Sequence, residues 1–188
     1  MLPLDDYARA CCYSPNGHLI AVGMGGDVGR GKRPKDGTVV IVQTQKQSLD
    51  VVKELKNASE WISDIKFSPN GELLAVASHD NKVYVYDCLA NFALKCACSG
   101  ASSYIKHIDF ATDSSALQCS TGAYELLYFI ATSGEILHDG AEEVQGLAVE
   151  LVNARHRLAG AGRVPAVLRR HRRQRRRAHG RRHAHGDG

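Results

Sequence analysis

The sequence contains few of the features that mark membrane, secreted, metal-binding or catalytic proteins. No apolar run approaches the length of about 20 residues that a membrane helix needs, and the first residues, MLPLDDYARA, lack the apolar core of a signal peptide. The six cysteines form no Cys-x-x-Cys pair and have no histidine at zinc-ligand spacing. We therefore expect a cytoplasmic chain without a membrane segment, metal or cofactor, whose cysteines are reduced and mostly buried.

Charge is distributed unevenly along the chain. Residues 1–150 contain 12 lysines and arginines against 19 aspartates and glutamates, a net charge of −7. Residues 151–188 contain 12 arginines, no lysine and one aspartate, a net charge of +11, so the overall +4 describes neither part. No aromatic residue follows Phe129 and no lysine follows Lys106. The two parts therefore differ in character, and the last is a basic tail.

Strand and turn signals alternate most clearly in residues 61–87, WISDIKFSPNGELLAVASHDNKVYVYD. Segments 61–67 and 82–87 alternate apolar and polar residues, whereas 73–77 is almost continuously apolar and is predicted to be buried on both faces. Ser68-Pro69-Asn70-Gly71 predicts a turn in which proline fixes φ at the first corner and glycine takes the positive φ. The segment 79–81 predicts a second tight turn.

The same pattern recurs on both sides of this stretch. Tyr13-Ser14-Pro15-Asn16-Gly17 repeats the motif that begins at Phe67 with an offset of 54 residues, and Phe110 repeats Phe67 with an offset of 43. An insertion at residues 24–37 explains the longer first offset. A period near 43 is typical of the four-stranded blades of β-propellers.

The sequence therefore predicts an all-β fold, a partial propeller of about three four-stranded blades whose ring is not closed. The first blade occupies residues 1–60 with the loop insertion at 24–37, the second 61–103, and the third 104–146 with an incomplete last strand. Residues 147–188 form a basic low-complexity tail. Predicted strands span 5–13, 19–23, 38–43 and 49–55, then 61–67, 73–77, 82–87 and 92–98, then 104–110, 116–120, 124–129 and the start of a last strand at 135–137.

Several of these segments resemble a known family. Tyr86-Asp87 stands where WD40 repeats carry Trp-Asp, and SHDNKVYVYD, SGASSYIKHIDF and TGAYELLYFIATSG resemble the C-terminal repeats of the echinoderm microtubule-associated protein-like (EML) family. The segment GMGGDVGRGKRPKDGTVVIV is similar to a repeat in the longer members of that family, and the resemblance covers roughly residues 1–146. Val42-Gln43 and Phe129-Ile130 replace Trp-Asp, and no Gly-His pair precedes a first strand. The hydrogen-bonded Asp-His-Ser-Trp tetrad of WD40 repeats is therefore not assumed.

The resemblance implies a function. Members of the EML family bind microtubules and tubulin, so it implies a microtubule-associated interaction module, located in the cytoplasm on the cytoskeleton or in the cilium, that is a fragment of a longer protein. A general WD40 scaffold that binds other proteins through its propeller surface is the alternative. The sequence singles out no tubulin-binding residue.

One glycine-rich segment resembles a nucleotide-binding loop. Gly26-x-x-x-x-Gly31-Lys32 begins like a P-loop, but Arg33 replaces the Ser or Thr that would coordinate Mg²⁺, and a strand follows where the phosphate-binding helix should start. We interpret the segment as a long hairpin loop that is either merely solvated or in contact with an acidic surface such as tubulin. Its basic residues are Arg30, Lys32, Arg33 and Lys35.

Ser78-His79-Asp80 contains the residue types of a nucleophilic triad. Consecutive residues of a strand point to opposite faces, so the three side chains are not expected to converge on one proton relay. We interpret the segment as a turn whose polar groups bond nearby backbone. With no carboxylate pair or Cys-His arrangement elsewhere, the sequence predicts no enzyme and no catalytic, cofactor or metal residue.

Two hypotheses describe the arginine-rich tail. Its charge favours nucleic-acid binding, although it has no aromatic side chain to stack on bases. Alternatively the segment is out of frame: in a frame shifted by one base, synonymous codons for residues 157–184 permit GWPVQGVFPPSSDGTDVNAVARTGDDM. That peptide resembles the continuation of an EML propeller, so we hypothesise a change of frame between about residues 142 and 157. In either case we expect the tail to be disordered.

Overall fold

A computed structural model of the chain describes residues 2–26, 34–44 and 48–138, all of which belong to one compact unit, Met1–Ala148. Within these ranges the chain forms twelve strands and no helix, so none of the described segments is a membrane-spanning helix. The strands are β1 (Ala8–Tyr13), β2 (Leu19–Met24), β3 (Val39–Thr44), β4 (Leu49–Leu55), β5 (Ile62–Phe67), β6 (Leu73–Ser78), β7 (Val83–Asp87), β8 (Ala93–Cys98), β9 (Ile105–Phe110), β10 (Ala116–Thr121), β11 (Leu126–Ile130) and β12 (Ile136–Leu137).

The strands form three antiparallel meanders of four strands each, β1 to β4, β5 to β8 and β9 to β12, called blades 1, 2 and 3 below. The inner strand β5 contacts β1 on one side and β9 on the other, so the blades follow one another around a common axis. The three sheets do not close into a ring. The predicted all-β fold, a partial propeller, is confirmed.

Several strands start one to three residues later than predicted. β1 begins at Ala8 because Asp6 accepts a hydrogen bond from the Tyr7 backbone N–H in a bend before it. Phe92 and Tyr124 have φ values of 57° and 64°, which belong to turns, and β8 and β11 therefore begin only after them. Trp61 and Tyr104 precede β5 and β9 in the links between blades.

The repeated turn has the predicted geometry. Gly17 and Gly71 adopt φ values of 73° and 76°, and each donates its N–H at 2.8 Å to the carbonyl of the serine three residues earlier. In both turns that serine hydroxyl accepts the N–H of the first residue of the next strand at 2.9 Å, Leu19 in blade 1 and Leu73 in blade 2. In blade 3, Ser114 takes the positive φ in place of glycine.

The central strand of blade 2 packs on both neighbours. All six residues of β6 are buried, as the continuous apolar run predicted. Leu74 and Val76 belong to the core shared with blade 1, whereas Leu73, Ala75 and Ala77 belong to the core shared with blade 3. Burial contributes about 1.5–3 kcal/mol for each of the larger side chains, so the two interfaces hold the three sheets together.

The cysteines are all free thiols, and they are less uniformly buried than predicted. Cys98 and Cys119 are buried, but Cys12, Cys88 and Cys96 are half-buried and Cys11 is exposed. Cys11 lies on β1, where four of the six residues are exposed and none is buried, which explains the difference. Burial raises the pKa of the Cys119 thiol to about 11, so it remains protonated.

Candidate interaction surface

The turns after β2, β6 and β10 and the links between blades meet at one end of the sheets, called the loop end below. Tyr7, Trp61 and Tyr104 precede the inner strands there, and their spacing follows the repeat offsets of 54 and 43 residues. Each of their carbonyls accepts a hydrogen bond from the backbone N–H of the first residue after the second strand of its blade: Gly25 at 3.0 Å, His79 at 3.0 Å and Gly122 at 2.9 Å. The three blades therefore place one aromatic residue each at equivalent positions.

Two of these aromatic rings stack on the imidazole of His79. The ring centroids of Trp61 and His79 are 3.5 Å apart at an interplanar angle of 25°, and those of His79 and Tyr104 are 4.3 Å apart at 19°. The guanidinium carbon of Arg9 lies 4.9 Å from the Trp61 ring centroid. Arg9, Trp61, His79 and Tyr104 thus form a continuous stack across the three blades, which we call the aromatic ladder.

The repeat explains why the central ring of the stack, that of His79, comes from blade 2. The positions equivalent to His79 are Gly25 and Gly122, which have no side chain to contribute. A Cβ atom on Gly122 would collide with the Tyr104 ring, and one on Gly25 would lie 2.9 Å from the Cβ of Trp61. In blade 1 the Arg9 guanidinium covers Trp61 instead, donating through Nε to the Gly25 carbonyl at 3.1 Å and through Nη2 to that of Gly26.

The surroundings of His79 favour its neutral form. Burial, and then the positive charge of Arg9, lower the pKa of the imidazole below its usual value, and the opposing effect of Glu60 is smaller. A neutral imidazole can stack between Trp61 and Tyr104 without a desolvated charge. The ladder is therefore an uncharged aromatic stack with a cation at the Arg9 end and a second one near Tyr104, where the Lys106 ammonium lies 5.9 Å from the ring centroid.

Carboxylates at the loop end hold the links between blades. Asp80 accepts hydrogen bonds from the Ser59 backbone N–H at 2.8 Å and from the Tyr84 hydroxyl at 2.9 Å. Glu125 does the same for the next link, accepting from the Ser102 N–H at 3.2 Å and its hydroxyl at 2.6 Å. Ser59 and Ser102 are again 43 residues apart, so the two carboxylates repeat one function in neighbouring blades.

Two further hydrogen bonds connect the sheet of blade 2 to the link that precedes it. The Tyr86 hydroxyl donates to the amide oxygen of Asn57 in the link at 3.0 Å, and Ser78 donates to the Glu60 carbonyl at 3.1 Å. Burial raises the pKa of Tyr86 well above its usual value and that of Tyr84 to about 12, so both remain hydrogen-bond donors at neutral pH. Sequence reasoning missed this network, because its partners lie in irregular segments.

The three residues of the triad-like segment, Ser78-His79-Asp80, contact different partners. Ser78 bonds the link backbone, His79 stacks in the ladder and Asp80 holds Ser59 and Tyr84. No relay between them is formed by these contacts, and they agree with the interpretation as a turn. Among residues 2–26, 34–44 and 48–138, no group of three His, Cys, Asp or Glu side chains is placed to hold a metal. The absence of catalytic and cofactor residues stays a prediction.

Only the two ends of the P-loop-like segment are described. Gly26, with a φ of 75°, donates its N–H to Asp36 at 2.7 Å and lies against the Trp61 ring. At the other end the Lys35 ammonium nitrogen lies 3.2 Å from a carboxylate oxygen of Glu54 and 3.7 Å from one of Asp5. Residues 27–33, which include Arg30, Gly31, Lys32 and Arg33, lie outside the described residues, as do the tail 147–188 and the predicted change of frame.

Comparison with known sequences gives consistent matches over the bladed part. A family model, the second β-propeller of echinoderm microtubule-associated proteins, matches residues 1–148. The 77 kDa echinoderm microtubule-associated protein of Lytechinus variegatus is 34% identical over 131 residues, which is 68% of this chain and 18% of that protein. Human echinoderm microtubule-associated protein-like 2 is 37% identical over 130 residues, 67% of this chain and 18% of that protein. The ciliary WD repeat-containing protein ctxp80 of Euplotoides octocarinatus is 34% identical over 126 residues, 67% of this chain and 17% of that protein.

These relatives are much longer than the present chain, which spans about a fifth of their length. Among solved structures, Chaetomium thermophilum Sqt1 bound to the N-terminus of the ribosomal protein L10 has a TM-score of 0.58 and 22% sequence identity. The match covers 68% of this chain and 32% of that one. At this identity the likeness establishes the fold, a WD40 propeller.

Proposed function

Because the chain belongs to the echinoderm microtubule-associated protein-like (EML) family, whose second β-propeller matches residues 1–148, we propose that it is a microtubule-associated WD40 interaction module. The family match carries this proposal. The sea urchin relative is named as a microtubule-associated protein, the human one as microtubule-associated protein-like, and the third is named as ciliary. We accordingly propose a cytoplasmic location on the microtubule cytoskeleton or in the cilium.

The proposal assigns binding, and no catalysis, to the bladed part. Three packed sheets offer a rigid frame, and the loop end displays side chains on irregular segments that this frame holds in place. We further propose that the blades divide after residues 60 and 103. The chain would be a fragment of a longer protein. The full protein would then be longer, as these relatives are, and its further blades would complete the ring.

Co-pelleting with polymerised tubulin tests the proposal. The full chain and a version lacking residues 147–188 are expected to pellet equally, because the family match covers the bladed part. Microtubule binding that disappears with the tail would contradict the proposal. Retention of RNA or DNA that falls with salt and is lost on the same deletion would instead support nucleic-acid binding by the tail. A general scaffold for other proteins predicts neither result.

A further inference from the structure

Two cysteines on the last strand of blade 2 form a close pair that the proposed function does not use. Cys96 and Cys98 both belong to β8 and lie two residues apart, so their side chains point to the same face of the sheet, toward blade 3. We propose that these two residues form an intramolecular disulfide when the chain reacts with a hydroperoxide, and that Cys96 is oxidised first. The inference goes beyond the proposed function and does not depend on it.

The two thiols of the pair interact directly. The Cys98 thiol donates a hydrogen bond to the Cys96 sulfur, which favours the thiolate and lowers the pKa of Cys96. Burial opposes this effect, and the positive charge of Lys95 adds to it. The same hydrogen bond, and then burial, raise the pKa of Cys98. Because the thiolate is the reactive form, Cys96 is the nucleophile of the pair.

Cys96 is also the more accessible of the two thiols. Its side chain is half-buried, whereas Cys98 is only 1% exposed. The turn between β11 and β12 lies beside Cys96, whose sulfur is 3.8 Å from the carbonyl oxygen of Ala131. Gly134 in this turn has no side chain, and a Cβ atom there would lie 3.3 Å from the Cys96 sulfur. A small oxidant therefore reaches Cys96 before it reaches Cys98.

The geometry of the strand permits a bond between the two sulfur atoms, although with strain. Residues two apart along a strand have Cα atoms about 6.4–6.8 Å apart, and most disulfides span about 4.4–6.8 Å. β8 is the outermost strand of blade 2, and its register with β7 shifts next to Cys96, between Val85 and Tyr86. Such an irregularity increases the local twist, which shortens the rise along the strand. A disulfide near the upper limit of the span is easily reduced, so we expect the oxidation to be reversible.

The oxidation consumes one molecule of hydroperoxide for each disulfide. With hydrogen peroxide, the Cys96 thiolate attacks one oxygen, the O–O bond breaks, and the leaving hydroxide takes up the proton that the thiol had lost. Cys96 is then a sulfenic acid. The Cys98 sulfur attacks the Cys96 sulfur, the S–O bond breaks, and hydroxide leaves with the Cys98 proton as water. The two thiols are oxidised by two electrons, and the peroxide is reduced to two molecules of water.

Cys119 is the alternative partner for Cys98. It belongs to β10 and lies in the same buried cluster between blades 2 and 3. A bond between Cys98 and Cys119 would join two blades, whereas the proposed bond lies within one strand. Cys11 is exposed on β1 and is the competing site of oxidation, but the consecutive Cys12 points to the opposite face of the sheet.

Peptide mapping distinguishes these possibilities. Trypsin cleaves after Lys95 and Lys106, so Cys96 and Cys98 are released together in peptide 96–106, and Cys119 is released in peptide 107–155. The full chain is treated with hydrogen peroxide while folded, its remaining thiols are alkylated with iodoacetamide in urea, and the digest is analysed by mass spectrometry. We expect a peptide 96–106 that lacks two hydrogen atoms and carries no alkyl group. Prior treatment with dithiothreitol is expected to restore the doubly alkylated form.

Two results of the mapping would overturn the proposal. The first is a doubly alkylated peptide 96–106 after peroxide treatment, with oxidation confined to other cysteines such as Cys11. The second is a product in which peptides 96–106 and 107–155 are joined, because it would assign the bond to Cys98 and Cys119.

Alanine variants test the order of the two steps. Cys98→Ala is expected to lose the disulfide and to retain a sulfenic acid on Cys96, which dimedone labels. Cys119→Ala is the matched control, since it alters the same interface, and it is expected to form the disulfide as the parent chain does. Dimedone labelling of Cys98 in a Cys96→Ala variant, without labelling of Cys96 in Cys98→Ala, would overturn the order. Should a variant unfold at lower urea concentration than the parent, the peptide map of the unaltered chain decides.

Discussion

Single hydroxyl groups connect the links between blades to the sheets, and they differ in the acceptor they use. The Tyr84 hydroxyl donates to the carboxylate of Asp80, whereas the Tyr86 hydroxyl donates to the neutral amide of Asn57. The second oxygen of Asp80, Oδ1, is buried and has no hydrogen-bond partner among the described residues. The half-buried Asp80 carboxylate therefore loses more when one of its donors is removed. Asn57 is exposed, so its amide oxygen can accept a hydrogen bond from water instead.

A pair of phenylalanine substitutions tests this difference. Tyr84→Phe is expected to reduce the free energy of unfolding by about 1.5–3 kcal/mol, because the hydrogen bond it removes has a charged acceptor. Tyr86→Phe is expected to cost about 0.5–1.5 kcal/mol, the range for a neutral bond. Urea unfolding followed by Trp61 fluorescence measures both. A larger loss for Tyr86→Phe would show that the Asp80 carboxylate does not determine the strength of this connection.

His79 makes the ladder sensitive to pH. Its pKa in the folded chain lies below the usual value, first because of burial and then because of Arg9, so the unfolded chain binds a proton more readily than the folded one. The contribution to stability is therefore complete above the unfolded pKa of about 6.5 and is lost as the pH falls through the lower folded value. We expect the urea-unfolding midpoint to decrease below about pH 6.5, before most carboxylates titrate.

The matched variant for this experiment is His79→Gln. It removes the titrating ring, so the decrease between about pH 6.5 and the carboxylate range is expected to become smaller. The same protonation should alter the emission of Trp61, whose ring centroid lies 3.5 Å from that of His79. An identical pH profile in His79→Gln would assign the decrease to other groups.

At the scale of elements, two glycines with almost the same backbone conformation face different surroundings. Gly37 has a φ of 78° and a Cβ added to it would collide with the carbonyl oxygen of Ala58 in the link between blades 1 and 2. Gly17 has a φ of 73°, but a Cβ there would meet no atom within 4 Å. An L-residue would pay the conformational cost of a positive φ at either position. Only at Gly37 would it also clash with a neighbouring atom.

The alanine variants of these glycines separate the two costs. Gly17→Ala is expected to lower the free energy of unfolding by about 1–2 kcal/mol, the cost of a left-handed conformation. Gly37→Ala adds the cost of overpacking, about 1–3 kcal/mol more, because backbone cannot move as easily as the end of a side chain. Urea unfolding of the two variants under the same conditions measures the difference. Equal losses in the free energy of unfolding would show that the link containing Ala58 moves away from the added methyl group without a measurable cost.

The strands could be predicted because their signals are local. Each strand of blade 2 has its own alternation or apolar run, and the Ser-Pro-Asn-Gly turn marks the register between β5 and β6. The strand starts were less accurate at Phe92 and Tyr124, where the chain takes a positive φ in local turns that an aromatic residue does not predict. β-branched and aromatic content alone does not show where pairing begins.

The aromatic ladder could not be derived in the same way, because its rungs come from different blades. Trp61 and His79 are 18 residues apart, and His79 and Tyr104 are 25 apart. One signal was available: Tyr7, Trp61 and Tyr104 occupy the same position of the repeat, where an aromatic residue precedes each inner strand. That His79 stands where the other blades have Gly25 and Gly122 becomes meaningful only once the packing shows the space that its ring fills.

Among the residues that the structure describes, blade 2 packs against a blade on both sides, whereas blades 1 and 3 each pack against one blade only. On the open side of blade 3, Leu126 is 57% exposed, although Val83, at the equivalent position of blade 2, is fully buried by its neighbour. An exposed leucine at a position built for burial fits the proposal that further blades pack there in a longer protein. The part of the sequence beyond residue 148, where the family match ends, shows no continuation of the repeat.

The hypothesis of a changed frame accounts for this break and makes a prediction about the gene. The family match ends at residue 148, within the interval of about 142–157 in which the hypothesis places the change, and the net charge changes from −7 to +11 near the same point. Sequencing of the transcript and the genomic DNA across the codons for residues 138–188 is expected to show codons that, read one base later, encode GWPVQGVFPPSSDGTDVNAV. In the shifted frame only the middle base of each codon is free, so chance rarely produces agreement over such a length. Codons that do not permit this peptide would refute the hypothesis. The arginine-rich tail would then be part of the natural product, and its salt-dependent binding to nucleic acid would become the next property to measure.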